Sequence, residues 1–315
     1  MKKIIVAVLL IAVICTAAGV LVACSNATTQ GQLENVWQPY ERYTYSVSYK
    51  ADDGSDASGT YVNEIRHYDA GATVGLGSVE LASVAEGYLV TGTLTAGDRT
   101  LFNACYYALS SGGSYLVPSA TYRKETAEGK TVFEYSGTYD GATLNYSGTR
   151  EDGTKLSGSL GLSQPYYDNN QFHQALRGVG SLLAEGFSFP SFNVALVAAE
   201  EQTVIVLSAS VTATASVPSE IPAGDSVQAF DCLKMTLSRS TTIAGESQSI
   251  WFASSPVKCV VEGDDTVLVS EGAGWELKNV IVKIEEPYKA KDGSVQKVTY
   301  TLSDIDLTPP ASDAE

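Results

Sequence analysis

Period-two alternation of apolar and polar side chains runs through most of this chain, and it confines the fold to antiparallel β structure. Tyr43, Tyr45, Val47 and Tyr49 alternate with Thr44, Ser46, Ser48 and Lys50. Ile205, Leu207, Ala209, Val211 and Ala213 alternate with Val206, Ser208, Ser210, Thr212 and Thr214, and Val298, Tyr300 and Leu302 with Thr299, Thr301 and Ser303. Successive side chains of a strand point to opposite faces, so each run predicts a strand with one face on a core and one in water. Asp53-Gly54, Asp140-Gly141, Asp152-Gly153 and Asp292-Gly293 separate such runs. They predict hairpins of type I′, in which both central residues need φ > 0. Residues 130–137, 143–149 and 155–162 are expected to form a three-stranded meander. About fourteen strands are expected between Arg42 and Asp304.

One segment breaks the period. Phe172, Ala175, Leu176, Val179, Leu182 and Leu183 recur at spacings of three and four, which predicts one amphipathic helix near 168–184. Asp168 or Asn169 is placed to accept N–H bonds at its start; Gly178 and Gly180 weaken it, and Gly186 is its expected stop. The fold class is therefore mainly β: a large curved antiparallel sheet or partly closed β-barrel, with the mid-chain helix over an open end or face. A single continuous β domain over 41–306 is favoured, with two β lobes the alternative.

The N-terminus reads as an address. Lys2 and Lys3 precede an apolar run from Ile4 to Val22, close to the ~20 residues that span a bilayer. The run ends in Leu21-Val22-Ala23-Cys24, which resembles the bacterial lipobox, whose cysteine is diacylated and becomes the mature N-terminus. The expectation is a lipoprotein signal peptide over 1–23, acylated Cys24 followed by a flexible tether over 24–40, and a disordered tail over 307–315. Such a chain sits on the extracytoplasmic face of a bacterial membrane. The formal charge of −16 suits that setting, because an anionic surface repels the domain and leaves the acyl anchor to hold it. It also argues against nucleic acid, since no basic stripe neutralises phosphates.

Chemistry is hard to assemble from these residues. Only His67 and His173 are present, and no His-x-x-x-His or Cys-x-x-Cys spacing exists, so no metal or other cofactor is expected. Glu262, Asp264 and Asp265 are the carboxylates from which a hydrolytic pair would have to come. Cys232 and Cys259 are expected on strands separated by a third, too far apart to bridge, unless the sheet folds over and brings them together. Cys105 is expected to pack as a small apolar group. The tyrosines leave two readings open. Tyr43, Tyr45 and Tyr49 on one strand face, with Tyr106, Tyr107, Tyr166 and Tyr167, are either a groove for a lipid, peptide or glycan or ordinary strand-favouring core.

Three stretches carry a resemblance: Pro165-Tyr-Tyr-Asp-Asn169 running into Ala175-Leu-Arg177, then Pro222-Ala-Gly224 with Phe230-Asp-Cys-Leu-Lys234, then Ile250-Trp-Phe-Ala253. In that order they resemble a family of uncharacterised exported bacterial β-sheet proteins. The chain departs from it at 225–229, where the family is tighter. Cys232, Trp251 and Cys259 are expected to have structural roles, and the resemblance implies a curved sheet wrapped toward a barrel. It also implies that Asp168 caps the helix and that Arg177 forms an ion pair at the sheet edge, and it brings no catalytic residues. The functional expectation is a membrane-anchored lipoprotein that binds an apolar or amphipathic ligand on its curved sheet. The alternative is an envelope scaffold with a solid core and an exposed aromatic patch.

Overall fold

The computed structural model describes residues 33–51, 53–110, 115–179, 183–223, 226–239, 247–289 and 294–310. The expected signal peptide and lipidated Cys24, the Asp292-Gly293 pair and the last five residues lie outside them. Twenty-one strands are present among the described residues, more than expected because several have only two to four residues. Their order begins with β1 (Leu33–Glu34), β2 (Tyr40–Lys50), β3 (Asp56–Tyr68), β4 (Val74–Leu76), β5 (Val79–Leu81), β6 (Gly87–Ala96) and β7 (Arg99–Leu109). It continues with β8 (Tyr115–Ala127), β9 (Lys130–Asp140), β10 (Thr143–Arg150), β11 (Lys155–Gly161) and β12 (Tyr166–Asp168). The second half holds β13 (Ser188–Val197), β14 (Gln202–Ala223), β15 (Ser226–Arg239), β16 (Gln248–Ala253), β17 (Val257–Glu262), β18 (Asp265–Leu268) and β19 (Trp275–Leu277), then β20 (Ile281–Lys289) and β21 (Val295–Asp306).

Sixteen strands form one sheet in the order β11-β10-β9-β8-β7-β6-β3-β2-β21-β20-β16-β15-β14-β13-β12, with β1 paired to β8. Every pairing is antiparallel except β12 with β13, which is parallel. The meander of β9, β10 and β11 forms as the turns predict. The turn type differs from the expectation: Gly54, Gly141 and Gly153 have positive φ but their aspartates do not. Instead, Asp53 and Asp152 accept the backbone N–H two residues on, from Ser55 and Thr154, each at 2.9 Å. An Asx bond of this kind makes the turn without left-handed backbone at the aspartate.

The sheet curls so far that its two ends meet, but side chains join them rather than a strand ladder. Phe133, Tyr135, Leu144 and Leu156 from β9–β11 pack against Tyr166, Ala195 and Val197 from β12–β13. It is therefore a curved sheet not closed into a barrel. Inside lies the main core, and on the convex face the β4–β5 flap covers Leu89, Ala104, Tyr106 and Tyr122. Strand alternation explains the division, since Val90, Cys105 and Tyr107 point inward while Leu89, Ala104 and Tyr106 point to the flap.

Several boundaries are corrected. The helix is shorter than 168–184: a 3₁₀ turn over Asn169–Gln171, capped by Asp168 accepting from Asn170 N at 2.9 Å, leads into α1 (Phe172–Leu176). It stops where β1 crosses it. Glu34 donates its N–H to the Gly178 carbonyl at 2.6 Å, and a Cβ on Gly178 would lie 2.6 Å from the Glu34 carbonyl oxygen. Residues 33–40 are consequently not free tether, because Leu33 and Trp37 are buried in the main core. Leu307 likewise packs there rather than starting a loose tail. Cys232 and Cys259 are also differently placed, since β16 pairs β20 while β17 joins a separate sheet with β18 and β19. Both are free buried thiols, as is Cys105.

Candidate cleft beside the short helix

The short helix lies inside the curl and divides it into two unlike ends. At its C-terminal end, Arg177 and Glu41 form a fully buried ion pair, with Nη1 to Oε2 at 2.6 Å. All partners are satisfied: Arg177 Nη2 donates to the Lys278 carbonyl at 3.0 Å, and Tyr43 OH and Gln38 N donate to Glu41, each at 2.6 Å. The Arg177 guanidinium also lies 5.1 Å from the Tyr43 ring centroid. The sequence places Arg177 correctly in an ion pair but wrongly at an edge. Glu41 continues the inward register of Tyr43, Tyr45 and Val47, a position at which the sequence pattern leads one to expect an apolar residue.

At the N-terminal end of the helix the interior is not filled. A partly open cleft of about 390 Å³ lies between β6–β8 on one side and β13–β16, β20 and β21 on the other. Its walls are aliphatic, with Leu94, Leu101, Val194, Ile205, Leu207 and Leu237 among them. Its polar end combines Asn169, Asn170 and His173 from the helical segment with Arg123, Gln248, Glu286 and Tyr300 from the sheet. Glu286 is the one carboxylate lining it among the described residues.

Two polar groupings organise that end. The first anchors the 3₁₀ turn. Asp168, fully buried, accepts from Thr121 Oγ1 at 3.0 Å and Tyr139 OH at 2.6 Å. Burial pushes its carboxyl up to about 6, against the lowering effect of those bonds. Asn170 Nδ2 donates to Thr121 Oγ1 and Tyr135 OH, each at 2.7 Å, and to the Tyr122 carbonyl at 3.2 Å. Gln171 Nε2 donates to Asn103 Oδ1 at 2.5 Å and its Oε1 accepts from Asn63 Nδ2 at 2.9 Å. Gly92 makes room for this contact, since a Cβ there would lie 2.8 Å from Gln171 Nε2 and 2.6 Å from Asn103 Oδ1.

The second grouping centres on Glu286. His173 Nε2 lies 3.0 Å from Oε1, Gln248 Nε2 donates to Oε1 at 2.7 Å, and Tyr300 OH donates to Oε2 at 3.1 Å. Burial pushes the Glu286 carboxyl up, but the His173 bond and charge and the Tyr300 bond outweigh it, so the net direction is down. The Tyr300 hydroxyl is raised well above its ordinary value by burial and by Glu286. Neither His173 nor Glu286 was linked to the other from sequence. The signal was register: Glu286 follows Ile284 on the inward face, as Tyr300 precedes Leu302.

The tyrosines do not form one groove. Tyr43, Tyr45, Tyr107 and Tyr167 are in the main core, Tyr106 lies under the flap and Tyr166 is in the seam. Tyr49 is half-buried against the main core. Neighbours such as Tyr106 and Tyr107 fall on opposite faces of a strand, which precludes a shared lining. The cleft is lined instead by Tyr61 and Tyr300. Trp251 is buried between Lys234 and Lys283, whose Nζ atoms lie 4.9 and 5.0 Å from its ring centroid. His67 lies 3.3 Å from Glu86 and does not line the cleft with His173. Glu262, Asp264 and Asp265 form the exposed β17–β18 turn and do not line the cleft. Among the described residues no helix is long and apolar enough to cross a membrane.

No family model matches the chain, and no curated protein matches it. Among solved structures it is similar to a β-barrel-like protein of the domain of unknown function DUF1849 from Brucella abortus. The two are 11% identical, the match covers 87% of this chain and 100% of that one, and the TM-score is 0.46.

Proposed function

We propose that this chain is an extracytoplasmic lipoprotein, tethered through acylated Cys24, whose curled sheet binds one amphipathic molecule in the cleft beside the helix. The observation that carries the binding half is the cleft itself. Its 390 Å³ falls within the about 300–1,000 Å³ of small-molecule sites, and it joins aliphatic walls to a few convergent polar groups. The anchoring half rests on Lys2, Lys3, the apolar run and Leu21-Val-Ala-Cys24. The scaffold reading expects a contiguous aromatic surface. The exposed large apolar side chains among the described residues are six valines and Trp275, drawn from several strands.

Two measurements test the two halves separately. Cells supplied with labelled palmitate should incorporate it into the chain, and Cys24→Ala should abolish incorporation; equal labelling of both defeats the anchor. Organic extraction of the purified full chain followed by mass spectrometry should recover a bound amphipathic molecule. Leu101→Trp, which places an indole in the cleft, should lose it. Equal recovery from both forms, or from neither, defeats cleft binding.

A further inference from the structure

The cleft reverses the charge of the molecule around it. The chain carries 36 acidic residues against 20 lysines and arginines, yet Arg123, Arg239 and His173 line the cleft against a single carboxylate, Glu286, among the described residues. That carboxylate is already answered: His173 Nε2 lies 3.0 Å from it, Gln248 donates at 2.7 Å and Tyr300 at 3.1 Å. Arg123 is answered only in part. Its Nε and Nη2, at 2.8 and 2.7 Å, share one oxygen of Glu125, and Nη1 meets no acceptor among the described residues. The Arg123 side chain is only 17% exposed, and a guanidinium so shielded gains more from an anion than one in open water. Arg239 stands at the exposed rim, where a positive charge draws an anion toward the mouth. Leucines adjoin both arginines. Leu237 lies two residues before Arg239 on the same face of β15, and Leu101 lies two residues from Asn103, the β7 partner of Arg123.

We infer that the cleft takes a single-chain aliphatic carboxylate of fatty-acid chemistry, with its head on Arg123 Nη1 and its chain along Leu101, Leu207 and Leu237. This rests on the ligand-binding reading above. A carboxylate accepts the N–H groups that Nη1 still offers and brings one negative charge to the guanidinium. A phosphate monoester would carry more negative charge toward Glu286 and Glu125, and an alkylamine would bring a like charge to both arginines. A neutral head leaves the shielded guanidinium without its counter-charge. A cleft near the lower end of the usual size range accommodates one chain rather than two.

The test is photolabelling of the full chain in phosphatidylcholine nanodiscs with a diazirine-bearing laurate, with labelled positions mapped by peptide mass spectrometry. Label is expected on the peptides carrying Leu101, Leu207 and Leu237 and is lost in Leu101→Trp. Unlabelled laurate should compete at least about tenfold better than monolaurin, laurylamine or lauryl phosphate. Arg123→Gln combined with Glu125→Gln removes the guanidinium without stranding its partner, and should erase the advantage of laurate over monolaurin. Circular dichroism establishes that each variant is folded before it is compared. Any of the three competing as well as laurate, or an advantage that survives the double substitution, overturns the head-group assignment and leaves cleft binding standing. No label in the cleft of the folded chain, or label undiminished in Leu101→Trp, overturns both.

Discussion

The two ends of the short helix solve the problem of buried polarity in opposite ways. At the C-terminal end, Arg177 and Glu41 cancel each other's charge and every donor that reaches them is matched. The space around them is solid, with Trp37 set edge-on to both Tyr88 and Tyr107 at 5.5 Å. At the N-terminal end, Asp168 is buried and among the described residues has no ion-pair partner, and the aliphatic walls of the cleft stand apart. A buried ion pair in a filled interior leaves no space for a further molecule, whereas a cleft with aliphatic walls and polar groups provides it. The contrast is between a filled, charge-paired interior at the C-terminal end and an open cleft at the N-terminal end.

The largest effect should come from breaking the closed end. Arg177→Met leaves Glu41 charged and alone in the core, which costs about 3–5 kcal/mol. Urea denaturation should show the midpoint fall accordingly, and adding Glu41→Leu should recover part of the loss. A loss no greater than that of an exposed substitution would make this end no different from the surface.

The next effect belongs to the open end and depends on pH. Asp168 holds its proton more tightly folded, at about 6, than at its ordinary 3.8. Its contribution therefore favours the folded state fully below pH 3.8 and is lost as pH rises through about 6, a change of about 3 kcal/mol. Glu286, shifted the other way, contributes stability that is present above its ordinary value and lost as pH falls. The Asp168 part is isolated by subtracting the denaturation profile of Asp168→Asn from that of the parent. A pH-independent difference between 4 and 6 would remove the claim.

A matched pair of insertions compares the packing directly. Cys105→Phe enlarges a fully buried residue in the solid core and should cost about 1–3 kcal/mol. Leu101→Trp adds volume on the cleft wall, where there is room, and should cost less than about 1 kcal/mol. Equal costs would mean that the cleft is not space. The smallest effect is chemical. Burial raises the Cys232 and Cys259 thiols to about 12 and Cys105 well above its ordinary value, so all three should resist iodoacetamide in the native chain and react only after unfolding.

Much of the fold is legible because its rules are local. Alternation in Tyr43–Tyr45–Val47 and in Ile205–Leu207–Ala209–Val211 identifies strands, and the Asp-Gly turns at 140–141 and 152–153 set the β9–β11 meander. Where the reading failed, a distant contact overrode a local preference. Helical spacing through Leu182 could not reveal that β1 crosses at Gly178. The strand-like runs 227–238, 248–253 and 257–262 follow one another in sequence, yet only the first two pair as β15 and β16; β16 takes β20 as its other neighbour and β17 joins a separate sheet. The site was the least visible part, since His173, Glu286 and Asn170 are more than a hundred residues apart at the extremes and carry no shared motif.

By itself the sequence determined that this chain is β structure, which face of the most regular strands is buried, and that a helical turn begins at Asp168 or Asn169. These follow from side-chain period, capping chemistry and residue order, all of which act over a few residues. Only the tertiary structure decided on which side of the sheet Tyr106 and Tyr107 are each covered, that Glu41 meets Arg177, and that space remains beside His173 and Glu286. Curvature decides these things, because how far a sixteen-stranded sheet curls, and what then fills it, is a property of all its pairings together and of no one segment.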